Sequence, residues 1–123
     1  MNFLIVDDSY LMREVFAKII SKERSGKSDN IFQASDGTEA LEIVKKDSID
    51  LLLIDWNLPY VSGLDLVVQL REMKKYKKTP VIMISSEQEQ DKISDALSKG
   101  VTEYITKPVT PQLLKEKIKK YMD

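Results

Sequence analysis

Leu51-Leu52-Leu53-Ile54-Asp55-Trp56-Asn57-Leu58-Pro59 is the stretch on which the fold turns. Four consecutive apolar residues leave no polar face, so the segment reads as a central strand of a parallel sheet, buried on both sides. A carboxylate closes the run at Asp55. In open α/β sheets, ligand chemistry gathers just beyond the carboxyl ends of such strands. The start of the chain repeats the pattern: Phe3-Leu4-Ile5-Val6 delivers Asp7-Asp8 to the same relative position. Three carboxylates from two strand ends repel one another unless a cation neutralises them. The pattern therefore points to a divalent metal beside a reactive aspartate.

Outward from these runs, strand-like and helix-like patterns alternate five times. Ser9 can cap a first helix whose apolar stripe is Leu11, Met12, Val15, Phe16, Ile19 and Ile20. Lys22 to Asn30 reads as a polar loop, and Ile31 to Ala34 as a weaker second strand. The turn signal Ser35-Asp36-Gly37 precedes a helix over Thr38 to Lys46. Gly63 opens a third helix, Val81 to Ile84 forms strand four, and Ile93, Ala96 and Leu97 mark a fourth helix that Gly100 can end. Tyr104-Ile105-Thr106 is a short fifth strand before Lys107-Pro108. A last helix carries Leu113, Leu114, Ile118, Tyr121 and Met122. This order predicts an α/β fold: a doubly wound five-stranded parallel sheet, order 2-1-3-4-5, with five helices on both faces.

The 123 residues are expected to form one domain, 1–123, with no output domain. Apolar residues make up 42% and charged residues 32%, with a net charge of −1, so no global field recruits nucleic acid or an anionic membrane. Cysteine and histidine are both absent, which excludes disulfides, thiolate sites and any histidine phosphocarrier. Metal chemistry must use oxygen ligands. Without a signal peptide or an apolar span of ~20 residues, the expected location is the cytoplasm. The Lys74-Lys75-Tyr76-Lys77-Lys78 run reads as solvated surface, far from the strand ends that carry the acids.

Collected at successive strand ends, Asp7-Asp8, Asp55, Ser85 and Lys107 suit phosphoryl transfer. Mg²⁺, with Mn²⁺ as a substitute, would take the carboxylate oxygens. Asp55 would be the nucleophile, giving an aspartyl phosphate. The Ser85 hydroxyl and the Lys107 ammonium would satisfy the remaining phosphoryl oxygens.

With Asp7-Asp8, Asp55-Trp56-Asn57-Leu58-Pro59, Ser85, Tyr104 and Lys107-Pro108 in this order, the chain resembles the receiver domains of two-component response regulators. It looks most like the stand-alone chemotaxis kind. The resemblance implies that Asp8, Asp55 and the Asn57 carbonyl ligate the metal directly, with Asp7 acting through water. It implies a cis Lys107-Pro108 bond and a Tyr104 that turns inward after phosphorylation while Ser85 moves towards the phosphoryl group. Asn57 and Glu87 occupy positions that border the attacking water, so a short-lived phosphate is expected. The implied output face comprises Gln90, Ile93, Leu97, Val101, Tyr104, Thr106 and Lys117. Two departures stand out: Ser85 replaces a more usual threonine, and Val109 replaces an aromatic often found after Lys-Pro.

The implied function is a monomeric response regulator that takes phosphate from a histidine kinase onto Asp55. It would then change its affinity for a target such as a flagellar motor switch protein or a phosphotransfer protein. A phosphorelay intermediate and a non-phosphorylated binding module are the alternatives. An enzyme of the haloacid-dehalogenase kind fits less well, because it wants a second Asp where Asn57 stands. A flavodoxin-like FMN site fits worst, since the acids ending strand one would repel its phosphate.

Overall fold

The computed structural model describes residues 1–122. Five parallel strands, β1 (Asn2–Val6), β2 (Asn30–Ala34), β3 (Leu51–Asp55), β4 (Val81–Ser85) and β5 (Glu103–Thr106), form one sheet in the order β2-β1-β3-β4-β5. The intervening helices are α1 (Tyr10–Glu23), α2 (Gly37–Lys46), α3 (Gly63–Glu72), α4 (Gln90–Ser98) and α5 (Pro111–Lys119), with a short 3₁₀ turn at Lys74–Tyr76. The expected doubly wound order is the observed one.

The period of two along each strand sorts the apolar runs into two cores. Leu4, Val6, Leu52, Ile54, Val81 and Met83 face α2, α3 and Ala96 of α4. Phe3, Ile5, Leu51, Leu53, Ile82 and Ile84 face Phe16 and Ile20 of α1 and Leu114 and Ile118 of α5. A strand sandwiched this way must be apolar on both faces. That is why β3 and β4 are buried along their whole length and read as unbroken runs.

Caps fix where the helices begin. Ser9, Asp36, Ser62 and Thr110 each accept a backbone amide three residues on, at α1, α2, α3 and α5 respectively. The Ser35-Asp36-Gly37 signal is thus the start of α2 rather than a free turn. The polar loop is shorter than the sequence suggested, because α1 continues to Glu23 and β2 starts at Asn30. Gly100 does follow the end of α4, with φ of +119°.

Three polar arrangements hold the remaining segments. Tyr76, in the middle of the lysine run, is buried. Its hydroxyl lies 2.6 Å from the Val44 carbonyl and accepts the Ile49 amide at 3.3 Å, so the run is pinned by an internal ring. The Arg71 guanidinium donates to the carbonyls of Tyr76 (2.6 Å), Thr79 (2.7 Å) and Gly100 (2.7 Å), and to the Thr102 hydroxyl (3.3 Å). Arg24 and Asp29 form a buried pair at 2.7 Å, and the same carboxylate receives the Met1 ammonium at 2.8 Å.

The Arg24 hydrogen bond holds the Asp29 carboxyl well below the usual carboxylate range. Its folded-state pKa is depressed, so its stabilisation is present above the unfolded value, ~3.9, and is lost as pH falls towards the folded value. Asp29→Asn should lower the urea midpoint at neutral pH and flatten its decline below about pH 4. Urea titrations of both proteins across that range are the measurement. Parallel acid limbs would assign the acid sensitivity to other carboxylates.

Candidate functional site

β1 and β3 are neighbours with Val6 opposite Ile54, so the residues that follow them emerge side by side at one end of the sheet. Carboxylate oxygens of Asp7, Asp8 and Asp55 lie within 4.8 Å of one another. Asp7 and Asp55 are buried, and Asp8 is exposed. Oδ1 of Asp7 accepts the Ser9 amide at 2.9 Å, and Oδ2 is buried without a hydrogen-bond donor among the described residues, the Lys107 ammonium standing 3.6 Å away. An unsatisfied buried carboxylate oxygen costs ~1–3 kcal/mol or more. A hard cation shared by these oxygens would remove that cost, and an all-oxygen, three-carboxylate set suits Mg²⁺.

The ends of β4 and β5 supply the other groups. Ser85 is opposite Thr106, and the Lys107 amide donates to the Ser85 carbonyl at 2.8 Å, carrying the pairing one residue past the strand. The Lys107-Pro108 bond is cis, as expected. The Lys107 ammonium reaches 3.2 Å from Oδ2 of Asp55 and 3.6 Å from Oδ2 of Asp7. Oδ1 of Asp55 accepts the Asn57 amide at 3.2 Å. Burial pushes the Asp55 carboxyl up; Lys107 opposes the rise and Asp7 adds to it. The Ser85 side chain is buried, and its hydroxyl accepts the Glu87 amide at 3.1 Å.

Glu87 joins this site to α4 and to Tyr104. Its carboxylate accepts the amides of Gln88 (3.1 Å) and Glu89 (3.0 Å) and pairs with Lys92 at 3.1 Å. The Tyr104 hydroxyl donates to the Glu87 carbonyl at 2.9 Å, and its ring meets Trp56 edge-on at 6.3 Å. Tyr104 is therefore docked on the α3–α4 side of the sheet in this structure.

The expected output face is divided. Gln90, Leu97 and Thr106 are exposed, and Ile93, Tyr104 and Lys117 are partly so. Val101 is buried at 5% exposure and packs in the core, so the expectation that it contacts a partner does not hold. The chain reverses at Gly100, the Val101 amide returns to the Ala96 carbonyl, and the side chain turns inward. Lys117 also has an internal partner, Glu103 at 3.3 Å, which receives the Tyr121 hydroxyl at 2.6 Å as well.

Two polar side chains around the site escaped the sequence reading. Arg13 donates to the Asp7 carbonyl at 2.8 Å, and Lys92 faces Glu87. Both lie on helices whose apolar stripe is the readable signal, and neither spacing corresponds to a motif.

Similarity to known proteins follows the same residues. The profile of the response regulator receiver domain matches residues 3–119. The chain is 40% identical over 119 residues to a chemotaxis protein CheY homolog of Campylobacter jejuni, covering 96% of this chain and 89% of that one. It is 38% identical over 123 residues to the chemotaxis protein CheY of Pseudomonas aeruginosa, covering 100% and 97%. The solved structure of the chemotaxis response regulator CheY4 of Vibrio cholerae superposes with a TM-score of 0.88 at 28% identity, covering 98% of each chain.

Proposed function

Because this chain belongs to the response regulator receiver family, among regulators of the CheY type, we propose that it is a phosphorylation-dependent switch modified on Asp55. The observation that carries the reading is the convergence of Asp7, Asp8 and Asp55 within 4.8 Å around a buried oxygen that has no donor, with an ammonium 3.2 Å from Asp55. The phosphodonor in this reading is a histidine kinase. The receiver acts in the cytoplasm as a monomer, and the chemotaxis names of its relatives favour motor control over a phosphorelay.

Asp7, Asp8, Asp55 and the Asn57 carbonyl would hold Mg²⁺, which when bound supplies positive charge to the phosphoryl oxygens. The Asp55 carboxylate attacks phosphorus, and the donor leaves with the bonding electrons. Once the Asp55 oxygen is bonded to phosphorus, Lys107, paired with that carboxylate at 3.2 Å, would neutralise a phosphoryl oxygen in its place, and Ser85 offers a hydroxyl to another. Asn57 and Glu87 flank the approach of the water that later hydrolyses the acyl phosphate. Phosphorylation would favour the docked Tyr104, which couples through Glu87 to the α4–β5–α5 face; tenfold tighter target binding needs only ~1.4 kcal/mol.

Intact-mass and peptide analysis after incubation with Mg²⁺ and acetyl phosphate is the test, with one phosphoryl group expected at Asp55. Modification elsewhere, or none with metal bound, would overturn the reading. Metal binding has its own check. The Asp55 carboxyl keeps its proton to higher pH than an ordinary carboxylate. Mg²⁺ affinity, followed by Trp56 fluorescence, should therefore rise with pH through that elevated range and level off above it. A profile that stays flat above the ordinary carboxylate range would show that Asp55 is not a ligand.

A further inference from the structure

A cavity of about 590 Å³ opens beside the site. Asn57, Ser85 and Glu87 line its inner side, and Asp91, Lys92 and Asp95 its outer side. Lys92 is therefore the one cationic side chain in a wall with three carboxylates. It stands in the first turn of α4 and reaches back 3.1 Å to Oε1 of Glu87. Glu87 is itself held by two backbone amides, so the carboxylate that faces the ammonium is fixed in place. The side chain remains half exposed, which leaves it accessible to a molecule in the cavity.

We propose that this cavity receives the leaving group of a small phosphodonor, and that Lys92 is a specificity-determining residue selecting donors whose leaving group is anionic. The inference rests on Asp55 being the phosphoryl acceptor. In-line displacement places the leaving group on the side of phosphorus opposite the Asp55 oxygen, and the cavity lined by Trp56 and Asn57, the two residues that follow Asp55, and by Ser85 and Glu87 is open space bordering the site. With acetyl phosphate, the Asp55 oxygen forms a bond to phosphorus, the P–O bond to the acetyl group breaks, and acetate leaves with the electron pair. No proton is exchanged. The negative charge on that oxygen grows along the path, in a wall where Glu87, Asp91 and Asp95 oppose it and Lys92 favours it. With phosphoramidate in its N-protonated form, the P–N bond breaks and neutral ammonia departs, so the ammonium has no developing anion to stabilise.

The experiment measures phosphorylation rates of the intact protein with acetyl phosphate and with phosphoramidate, at saturating Mg²⁺, by the Trp56 signal and by intact mass. Lys92→Gln should lower the acetyl phosphate to phosphoramidate rate ratio about fivefold, and the loss should shrink at high ionic strength. Lys92→Arg should restore the ratio. Glu87→Gln separates this role from a merely structural ion pair. It breaks the same pair but frees the ammonium and removes an opposing charge, so the ratio should rise. A ratio unchanged in Lys92→Gln, or equal falls in Lys92→Gln and Glu87→Gln, would overturn the proposal. A wild-type protein that neither donor modifies would instead overturn Asp55 as the acceptor.

Discussion

Asp55→Asn should abolish phosphorylation, reducing the rate at least about 10³-fold, because an amide oxygen cannot serve as the nucleophile. Lys107→Gln and Ser85→Ala should retain a slow reaction, each losing about 10²-fold or less, since they only stabilise charge on the transferred group. The same Asp55→Asn substitution should make the metal-free protein more stable at neutral pH. Burial raises the Asp55 carboxyl pKa in the folded state, so the folded protein holds its proton more tightly than the unfolded chain does. Its ionised form therefore works against folding at pH 7, and that penalty fades as the pH drops through the raised folded-state value and is gone below the unfolded value near ~3.9. Asn removes the charge, so the gain should be large at pH 7 and small in acid, and should reverse once Mg²⁺ stabilises the wild type. Phosphate incorporation and thermal melts, each with and without Mg²⁺, are the two measurements. An Asp55→Asn protein that still takes phosphate would move the acceptor to Asp7 or Asp8.

Gly63→Ala should be among the most damaging small substitutions. A methyl group at position 63 would lie 2.2 Å from the Asp55 carbonyl oxygen and 2.7 Å from the Trp56 Cα. Both obstacles are backbone, and the Gly63 amide is bonded to the Trp56 carbonyl at 2.7 Å, so neither side can yield alone. Overpacking of this kind costs typically ~1–3 kcal/mol, and the upper end applies where no side chain can swing away. For a domain of this size that corresponds to a fall in melting temperature of roughly 10 °C. The displaced atoms belong to Asp55 and its neighbour, so Mg²⁺ affinity should fall together with stability. Equal loss of both, measured by melts and Trp56 fluorescence, distinguishes this from a substitution in α3 that only loosens the helix. A fully stable Gly63→Ala protein would mean that the β3–α3 connection is far softer than its geometry indicates.

The chemistry was legible because sequence order and sheet order combine simply. A strand buried on both faces reads as an apolar run whatever packs on it, and the residue that ends it projects from the sheet's carboxyl edge. Asp7, Asp55 and Lys107 converge for that reason. Gly63 was visible as a helix start, but its role depends on how closely the next helix approaches β3, a tertiary distance with no local signature. Tyr76 was hidden by charge: four lysines surround it, and a single apolar residue in such a run produces no period. Val101 failed in the opposite direction. One residue after a glycine reversal, its side-chain direction is set by the positive φ of Gly100 rather than by either flanking pattern. Arg24 and Asp29 lie in a polar loop where burial is set by the segments around them, not by composition.

The bonds of Arg71 to the carbonyls of Tyr76, Thr79 and Gly100 give α4 two unlike ends. Just beyond its C-terminus, Gly100 is riveted to the guanidinium on α3 and cannot slide along the sheet. At its N-terminus, Glu89 caps the helix without a side-chain hydrogen bond, and Glu87 carries hydrogen bonds that tie this end to Lys92 and to Tyr104. A helix fixed at one end and restrained by a single residue at the other is a lever. A displacement of Glu87 is therefore expected to tilt α4 about Gly100 more than it translates it. Over nine residues, ~13 Å at 1.5 Å per residue, displacement is greatest at Gln90 and fades towards Ser98. Leu97, although exposed, sits near the fulcrum and should move least, so a sensor of motion on this surface would have most to read at the first turn of the helix.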